Sequence, residues 1–198
     1  MIGIVILAAG ASSRMGKPKQ ELLYKGETLL QHAVKAAVST SCEPVVVVLG
    51  ANTEVRLPAS DGKTVLTAIN PKWQEGLSSS IRCGLSALLA AAPQAESVLF
   101  MVCDQPFVEA ALLESLLHTK SAGRKGIVAC QYKDTFGTPV LFDKAYFDEL
   151  LYLRGKEGAK KLLFRHSEHV ASVSFPLGAI DVDTPEDYAA LKRSESED

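Results

Sequence analysis

Five apolar runs of strand length, separated by stretches of helical periodicity, constrain this chain more than any other feature. They extend from Ile2 to Ala8, Pro44 to Leu49, Val65 to Ile69, Val98 to Val102 and Gly126 to Cys130. A strand that alternates polar and apolar residues buries one face. A run without that alternation must be covered on both faces, which calls for parallel strands between helices. The intervening stretches carry apolar residues at helical spacing: Leu29, Leu30, Ala33, Val34 and Ala37; Ile81, Leu85, Leu88 and Leu89; Leu112, Leu113, Leu116 and Leu117. A last helix is expected after Thr184 as N-cap, with Pro185 at N1 and Asp187 completing a capping box, and a polar tail over 193–198. Strand and helix in alternation define an α/β fold with a mostly parallel sheet. In such sheets ligands bind beyond the carboxyl ends of the strands, so the chemistry is sought just after the apolar runs.

The composition narrows the class. With 198 residues, 47% hydrophobic, 14 Gly and a net charge of −2, the chain is long enough for one well-buried domain and too apolar for disorder. The near-neutral charge argues against general nucleic-acid binding. Cys42, Cys83, Cys103 and Cys130 stand apart with no C-x-x-C pair; three lie in or beside apolar runs, where Cys is a small buried hydrophobe, and together they read as a reducing, cytoplasmic setting. The apolar start lacks a basic n-region, and no run approaches the roughly 20 residues that span a bilayer. Neither nucleic acid nor membrane is expected as a partner.

The first apolar run leads into Leu7-Ala-Ala-Gly10-Ala-Ser-Ser-Arg14-Met-Gly16-Lys-Pro-Lys19. Small residues let a backbone approach a ligand closely, and clustered N–H groups make an anion-binding nest. Residues 11–26 hold Arg14, Lys17, Lys19 and Lys25 against Glu21, four cations to one acid, a local excess of three. That suits a polyphosphate. The spacing excludes the P-loop, which needs four residues between its glycines and a Ser or Thr after Lys; five separate Gly10 from Gly16, and Pro18 follows Lys17. The dinucleotide G-x-G-x-x-G pattern is absent.

Asp104 ends the apolar strand that begins at Val98. A carboxylate there is costly unless solvated, paired or bound to a cation; its alternative is to cap a helix starting near Phe107. Asp183 precedes the Thr184 cap, and Asp181 is expected on the same side of a strand by period two. Mg²⁺ prefers one or two carboxylates plus phosphate oxygens and water, which two aspartates facing a basic glycine loop would satisfy.

The glycine loop resembles the signature of the MobA-like nucleotidyltransferases, and most closely that of the molybdenum cofactor cytidylyltransferases. The resemblance continues through Asn70-Pro71, Gly76-Leu-Ser78-Ser79-Ser80, Asp104-Gln105-Pro106, Gly137-Thr-Pro139-Val-Leu-Phe and Asp181-Val-Asp183-Thr-Pro-Glu-Asp187, nearly the whole chain in order. It implies a single-domain, Rossmann-like three-layer sandwich over 1–192, with a nucleotide half of about 1–105 and an acceptor half of about 106–192. It implies transfer of CMP from CTP to a molybdopterin-type phosphate, with a molybdoenzyme receiving the product. Leu7, Ala8, Ala9, Gly10, Ser12, Arg14, Lys19, Asn70 and Ser80 would bind the nucleotide; Arg14, Lys19 and Asp104 would be catalytic. Asp104 and Asp183 would hold Mg²⁺ or Mn²⁺, with Asp181 a possible sharer, and Gly137, Pro139 and Lys160 would meet the acceptor. Ala9 stands where guanylyltransferases commonly carry Gly, which implies CTP over GTP, through backbone groups of Leu7 to Ala9 and the limited room that a methyl allows. Gly155-Lys156-Glu-Gly158-Ala-Lys160 departs from a family segment usually reading Gly-Asp-x-Gly-Ala-Arg.

Other candidates read as structural. Ser78 to Ser80 are expected to cap a helix with their hydroxyls. His166 and His169 are expected to end the helix from Ala159 to Arg165 on the surface, His32 and His118 to lie on helices without partners, and Trp73 to be a core or rim aromatic. Two other activities stay open: guanylyl transfer or transfer to a sugar phosphate, and a silent nucleotide-binding or cofactor-chaperone module.

Overall fold

The computed structural model describes residues 1–198 except 11, 13, 51–54, 56, 59–61, 156–157 and 196–198. Along the chain come β1 (Ile2–Ala8), the small pair β2 (Leu23–Tyr24) and β3 (Glu27–Thr28), α1 (Leu29–Val38), β4 (Val45–Gly50), β5 (Val65–Asn70), α2 (Leu77–Ala91), β6 (Ser97–Val102), α3 (Ala110–Ala122), β7 (Ile127–Tyr132), β8 (Thr135–Asp143), α4 (Phe147–Leu151), α5 (Lys160–Arg165), β9 (Val170–Ser174) and α6 (Pro185–Ser194). One seven-stranded sheet runs in the order β5-β4-β1-β6-β8-β7-β9. Six strands run one way; β8 alone is reversed, pairing antiparallel with both β6 and β7.

The period of two along β1 builds the layers. Ile4, Ile6 and Ala8 pack against Leu30, Ala33 and Val34 of α1 and Leu113 and Leu116 of α3. Val5 and Leu7 point the other way, into a second apolar layer with Ile81, Leu85 and Leu88 of α2, Leu150 of α4 and Leu162 of α5. All the β4 positions are buried, as the uninterrupted Val-Val-Val-Val-Leu run requires. A third cluster joins Met15 of the glycine loop, and Leu22 and Tyr24 beyond it, to Val182 and to Leu191 of α6. Thr184 caps α6 through a reciprocal box with Asp187, as its sequence specifies.

Several local expectations are corrected. The helix after Asp104 starts at Ala110 with Glu109 at its cap, so Asp104 caps nothing. Residues 180–183 form no strand; Val182 N–H instead donates to the Asp104 carbonyl at 3.0 Å, so Asp181 and Asp183 share no strand face. The N-cap of α2 is Gly76, at φ 106°, with no hydroxyl cap. The helix of the supposed tail runs on through Ser194, and Glu195 pairs with Lys192 and accepts from the Lys25 N–H. His32 bonds the Tyr24 carbonyl at 2.6 Å, and His166 bonds Glu149 at 2.9 Å. The four cysteines are unbridged, and burial pushes the Cys130 thiol up to about 12.

α2 lies directly on the sheet because Gly84 has no side chain. A Cβ there would sit 2.4 Å from Val5 Cγ1 and 2.8 Å from Val48 Cγ2. Gly84→Val should therefore lower the unfolding free energy by about 1–3 kcal/mol through overpacking. A urea midpoint equal to that of the wild type would refute this packing.

Candidate active site

The carboxyl ends of β1 and β6 and the start of α2 open onto a cleft of about 380 Å³. Its two ends differ in chemistry. One end carries Arg14, Lys19, Asp104 and Asp183; the other is neutral, with Trp73, Gln74, Leu77 and Ser80.

The charged end is built from three separated segments. After β1 the chain turns at Ser12, whose positive φ of 48° departs from the usual range for a residue with a side chain. Ser12 Oγ accepts from the Lys19 N–H at 2.9 Å, closing the loop on itself, and Gly16 supplies a second left-handed position at φ 69°. Buried Met15 pins the loop to the Val182 and Leu191 cluster. Asp104 lies just beyond β6, and Val182 bonded to its carbonyl brings Asp183 alongside. Lys19 Nζ donates to Asp104 Oδ2 at 3.1 Å and to Asp183 Oδ1, while Arg14 Nη2 donates to Asp183 Oδ2 at 2.8 Å.

Electrostatics follow from this convergence. Burial pushes the Asp104 carboxyl above the usual range, opposed by the Lys19 charge and hydrogen bond. The Lys19 hydrogen bond, with the Lys19 and Arg14 charges, holds Asp183 below it against some burial. Burial alone would lower the Lys19 ammonium, but the two carboxylates together raise it above its ordinary value. Lys19 is the shared counter-charge of the pair.

Leu7 lies inside the ladder, paired with Val48 and Val102, so Ala9 and Gly10 are the first backbone beyond the strand. Ala9 is buried in the α2-side layer, which fixes its methyl in the core. Asn70 is buried and makes no cleft wall: its amide donates to Ser79 and Ser80 and accepts from the Lys72 N–H. Ser80 does line the cleft. The acceptor candidates lie elsewhere. A Cβ on Gly137 would meet Tyr132 Oη at 1.9 Å, Pro139 is buried within β8, and exposed Lys160 sits 5.9 Å over the Phe164 ring. Lys156, Ala11 and Ser13 fall outside the described residues.

One residue escapes the sequence reading. Gln105 is buried; its amide donates to the Gly178 carbonyl at 3.0 Å and accepts from Thr138 Oγ1 at 3.0 Å. It thereby ties the segment after β6 to β8 and to the turn preceding Asp183. The available signal was an amide placed between the strand-end Asp104 and Pro106, where a polar side chain has to find internal partners.

Two carboxylates that reach the same ammonium can also reach one hard cation. An all-oxygen pair fits Mg²⁺ or Mn²⁺ sharing its remaining positions with phosphate and water, and no group of three or more metal-ligating side chains stands among the described residues. No helix among them is long and apolar enough to cross a membrane.

A three-layer α/β sandwich with a small-residue loop, cations and paired carboxylates at its strand ends defines a nucleotide-handling protein. The chain belongs to the MobA-like NTP transferase family, whose domain pattern matches residues 4–170, and it is thus a nucleotidyltransferase by family. It is 34% identical over 121 residues to nicotine blue oxidoreductase of Paenarthrobacter nicotinovorans, a match spanning 61% of this chain and 57% of that protein. It is 27% identical to the purine catabolism protein PucB of Bacillus subtilis (strain 168), covering 97% of this chain and 96% of PucB. Against the molybdenum cofactor cytidylyltransferase of Escherichia coli (strain K12) it is 22% identical, covering 99% and 98%. The crystal structure of Rv0371c from Mycobacterium tuberculosis H37Rv in complex with manganese superposes with a TM-score of 0.73 at 30% identity, covering 98% of each chain.

The sign of the Asp183 shift makes a prediction. A carboxylate whose folded pKa is depressed contributes stability that is present above its unfolded value, about 3.9, and lost as pH falls through the folded value. Lys19→Met removes the main cause. In metal-free protein the Asp183 carboxyl should titrate at higher pH, Asp104 should rise further, and the acid-side increment should shrink. Carboxyl ¹³C titrations identical to those of the wild type would remove Lys19 as the shared partner.

Proposed function

We propose that this protein transfers CMP from CTP to a phosphate of a molybdopterin-type acceptor, releasing pyrophosphate. The observation that carries this reading is the division of the cleft: two cations and two carboxylates at one end, a neutral pocket with an aromatic at the other. A nucleoside triphosphate has the same division. Full-length similarity to the Escherichia coli cytidylyltransferase supports the choice of acceptor and base.

An acceptor phosphate oxygen attacks the α-phosphorus, the bond to the bridging oxygen breaks, and pyrophosphate leaves. The acceptor is already an anion, so no side-chain nucleophile or strong base is required. The difficulty is to bring two polyanions together, which places the burden on positioning and charge neutralisation. Backbone N–H groups after Ala9, with Arg14 and Lys19, hold the triphosphate; to do so Arg14 and Lys19 exchange their carboxylate partners for phosphate oxygens. Asp104 and Asp183, released from those cations, are the residues that would hold a divalent metal. Bound there, Mg²⁺ or Mn²⁺ would supply Lewis-acid neutralisation of the phosphates. Lys19, less exposed than Arg14, is the better placed to meet charge that develops on the departing oxygen.

The deciding measurement is pyrophosphate release with each NTP, molybdopterin and Mg²⁺ or Mn²⁺. CTP should be preferred; a GTP preference removes the cytidylyl assignment, and release only with a sugar phosphate removes the acceptor. Asp104→Asn should keep the melting transition and lose on the order of 10²–10³ in rate; near wild-type turnover would deny Asp104 its role. Lys19→Ala and Arg14→Ala should lower kcat more than they raise KM. A change confined to KM would make both residues ground-state clamps.

A further inference from the structure

The neutral end of the cleft holds a hydrogen-bond network whose direction can be read atom by atom. Lys72 N–H donates to Asn70 Oδ1 at 2.9 Å. A backbone N–H only donates, so the amide oxygen must face it and the Nδ2 group must face the serines. Nδ2 lies 2.8 Å from Ser79 Oγ and 3.0 Å from Ser80 Oγ, which commits both of its hydrogens. Ser79 passes its own hydrogen to the carbonyl of Lys72 or of Gly76, each at 2.8 Å. Ser80 differs. Asn70 occupies one of its lone pairs, and among the described residues its hydroxyl hydrogen meets no acceptor, although the residue borders the cleft.

We propose that Asn70 is a specificity-determining positioning residue: by donating to Ser80 Oγ it presents the Ser80 hydroxyl to the cleft as a hydrogen-bond donor. This end then favours a base that offers an acceptor and penalises one that offers N–H. Asn70 is 3% exposed and acts only through Ser80. The inference rests on the proposed function, which puts a nucleoside at this end. Cytosine offers the adjacent acceptors N3 and O2 beside one amino group, whereas the pairing edge of guanine has a single acceptor, O6, next to N1–H and an amino group, so a donor placed to meet N3 or O2 meets N–H instead. A wrong base leaves two donors facing each other away from water, and unpaired polar groups of that kind discriminate more strongly than shape does.

The test is a double-mutant cycle on binding, read by fluorescence of Trp73, the single tryptophan of the chain and a cleft residue. Ser80→Ala removes the donor. Asn70→Asp keeps an acceptor for the Lys72 N–H but has no hydrogen to give, so Ser80 must donate to it and turn lone pairs toward the cleft. Ser80→Ala should weaken CTP about tenfold, leave inorganic triphosphate unaffected and lower the CTP-to-GTP affinity ratio. Asn70→Asp should lower that ratio at least as far, yet add nothing in the Ser80→Ala background. An equal effect of Asn70→Asp with and without the Ser80 hydroxyl overturns the relay. So does an unchanged ratio in Ser80→Ala, which decides the matter even if Asn70→Asp has no cooperative melting transition. A wild type that favours GTP overturns the cytidylyl reading instead, and the same cycle run with GTP then decides the relay on its own.

Discussion

Two carboxylates cannot stand side by side in a half-buried cleft without a cation between them, and the Lys19 ammonium meets that requirement. Its partners come from distant parts of the chain, Asp104 from the end of β6 and Asp183 from the approach to α6. With Arg14 added, the four side chains sum to zero charge. The arrangement is self-neutralised and therefore tolerable in a protein that has to fold without its ligand. On the proposed function, a polyanion would disturb that balance and a dication would offset part of the added charge. On that reading polyphosphate and metal would be linked through one lysine, because each would free the side chains that the other requires.

The rest of the fold holds these segments still. β1 and β6 are neighbours in the middle of the sheet, with helices on both faces, so the positions beyond Ala8 and Val102 are fixed by the ladder and by two apolar layers. Asp183 has no strand to fix it. Its segment is held by one backbone bond to Asp104, by Val182 in the small cluster with Met15 and Leu191, and, through the turn at Gly178, by the Gln105 amide. Rigid placement on one side and a short clamp on the other give a site that is preorganised yet free to exchange partners.

How far the sequence discloses this depends on whether the deciding contact is local. Doubly buried strands announce themselves as apolar runs, and the α6 start is legible because Thr184 and Asp187 satisfy each other within one turn. β8 is not legible: its first half, Thr135 to Pro139, mixes polar residues, glycine and a proline, and it is a strand because β7 lies beside it. β9 is an edge strand with half-exposed positions, too weakly patterned to stand out. At the site, the cationic loop and Asp104 are visible in their own neighbourhoods. The Gln105 clamp joins residues far apart in the chain, whereas the saturated amide of Asn70 and the packing of Gly137 against Tyr132 are close in sequence but form only once a turn and a hairpin have brought the partners round, so no helical or strand spacing reveals them.

The reversal of β8 gives the two sides of the site different freedom to vary. On the other side β1 reaches β4 through the β2–β3 pair and α1, and β5 reaches β6 through α2, so a change of length in those connections displaces a packed helix. β7 and β8 are joined by a hairpin whose tip, Lys133-Asp134, stands at the same end of the sheet as Asp104. A hairpin tip lengthens at small entropic cost, on the order of 0.6 kcal/mol per doubling of the loop, without moving any strand of the nucleotide half. One wall of this architecture can therefore change length while the ends of β1 and β6 stay in place. The topology itself makes that hairpin the part of the rim most open to variation.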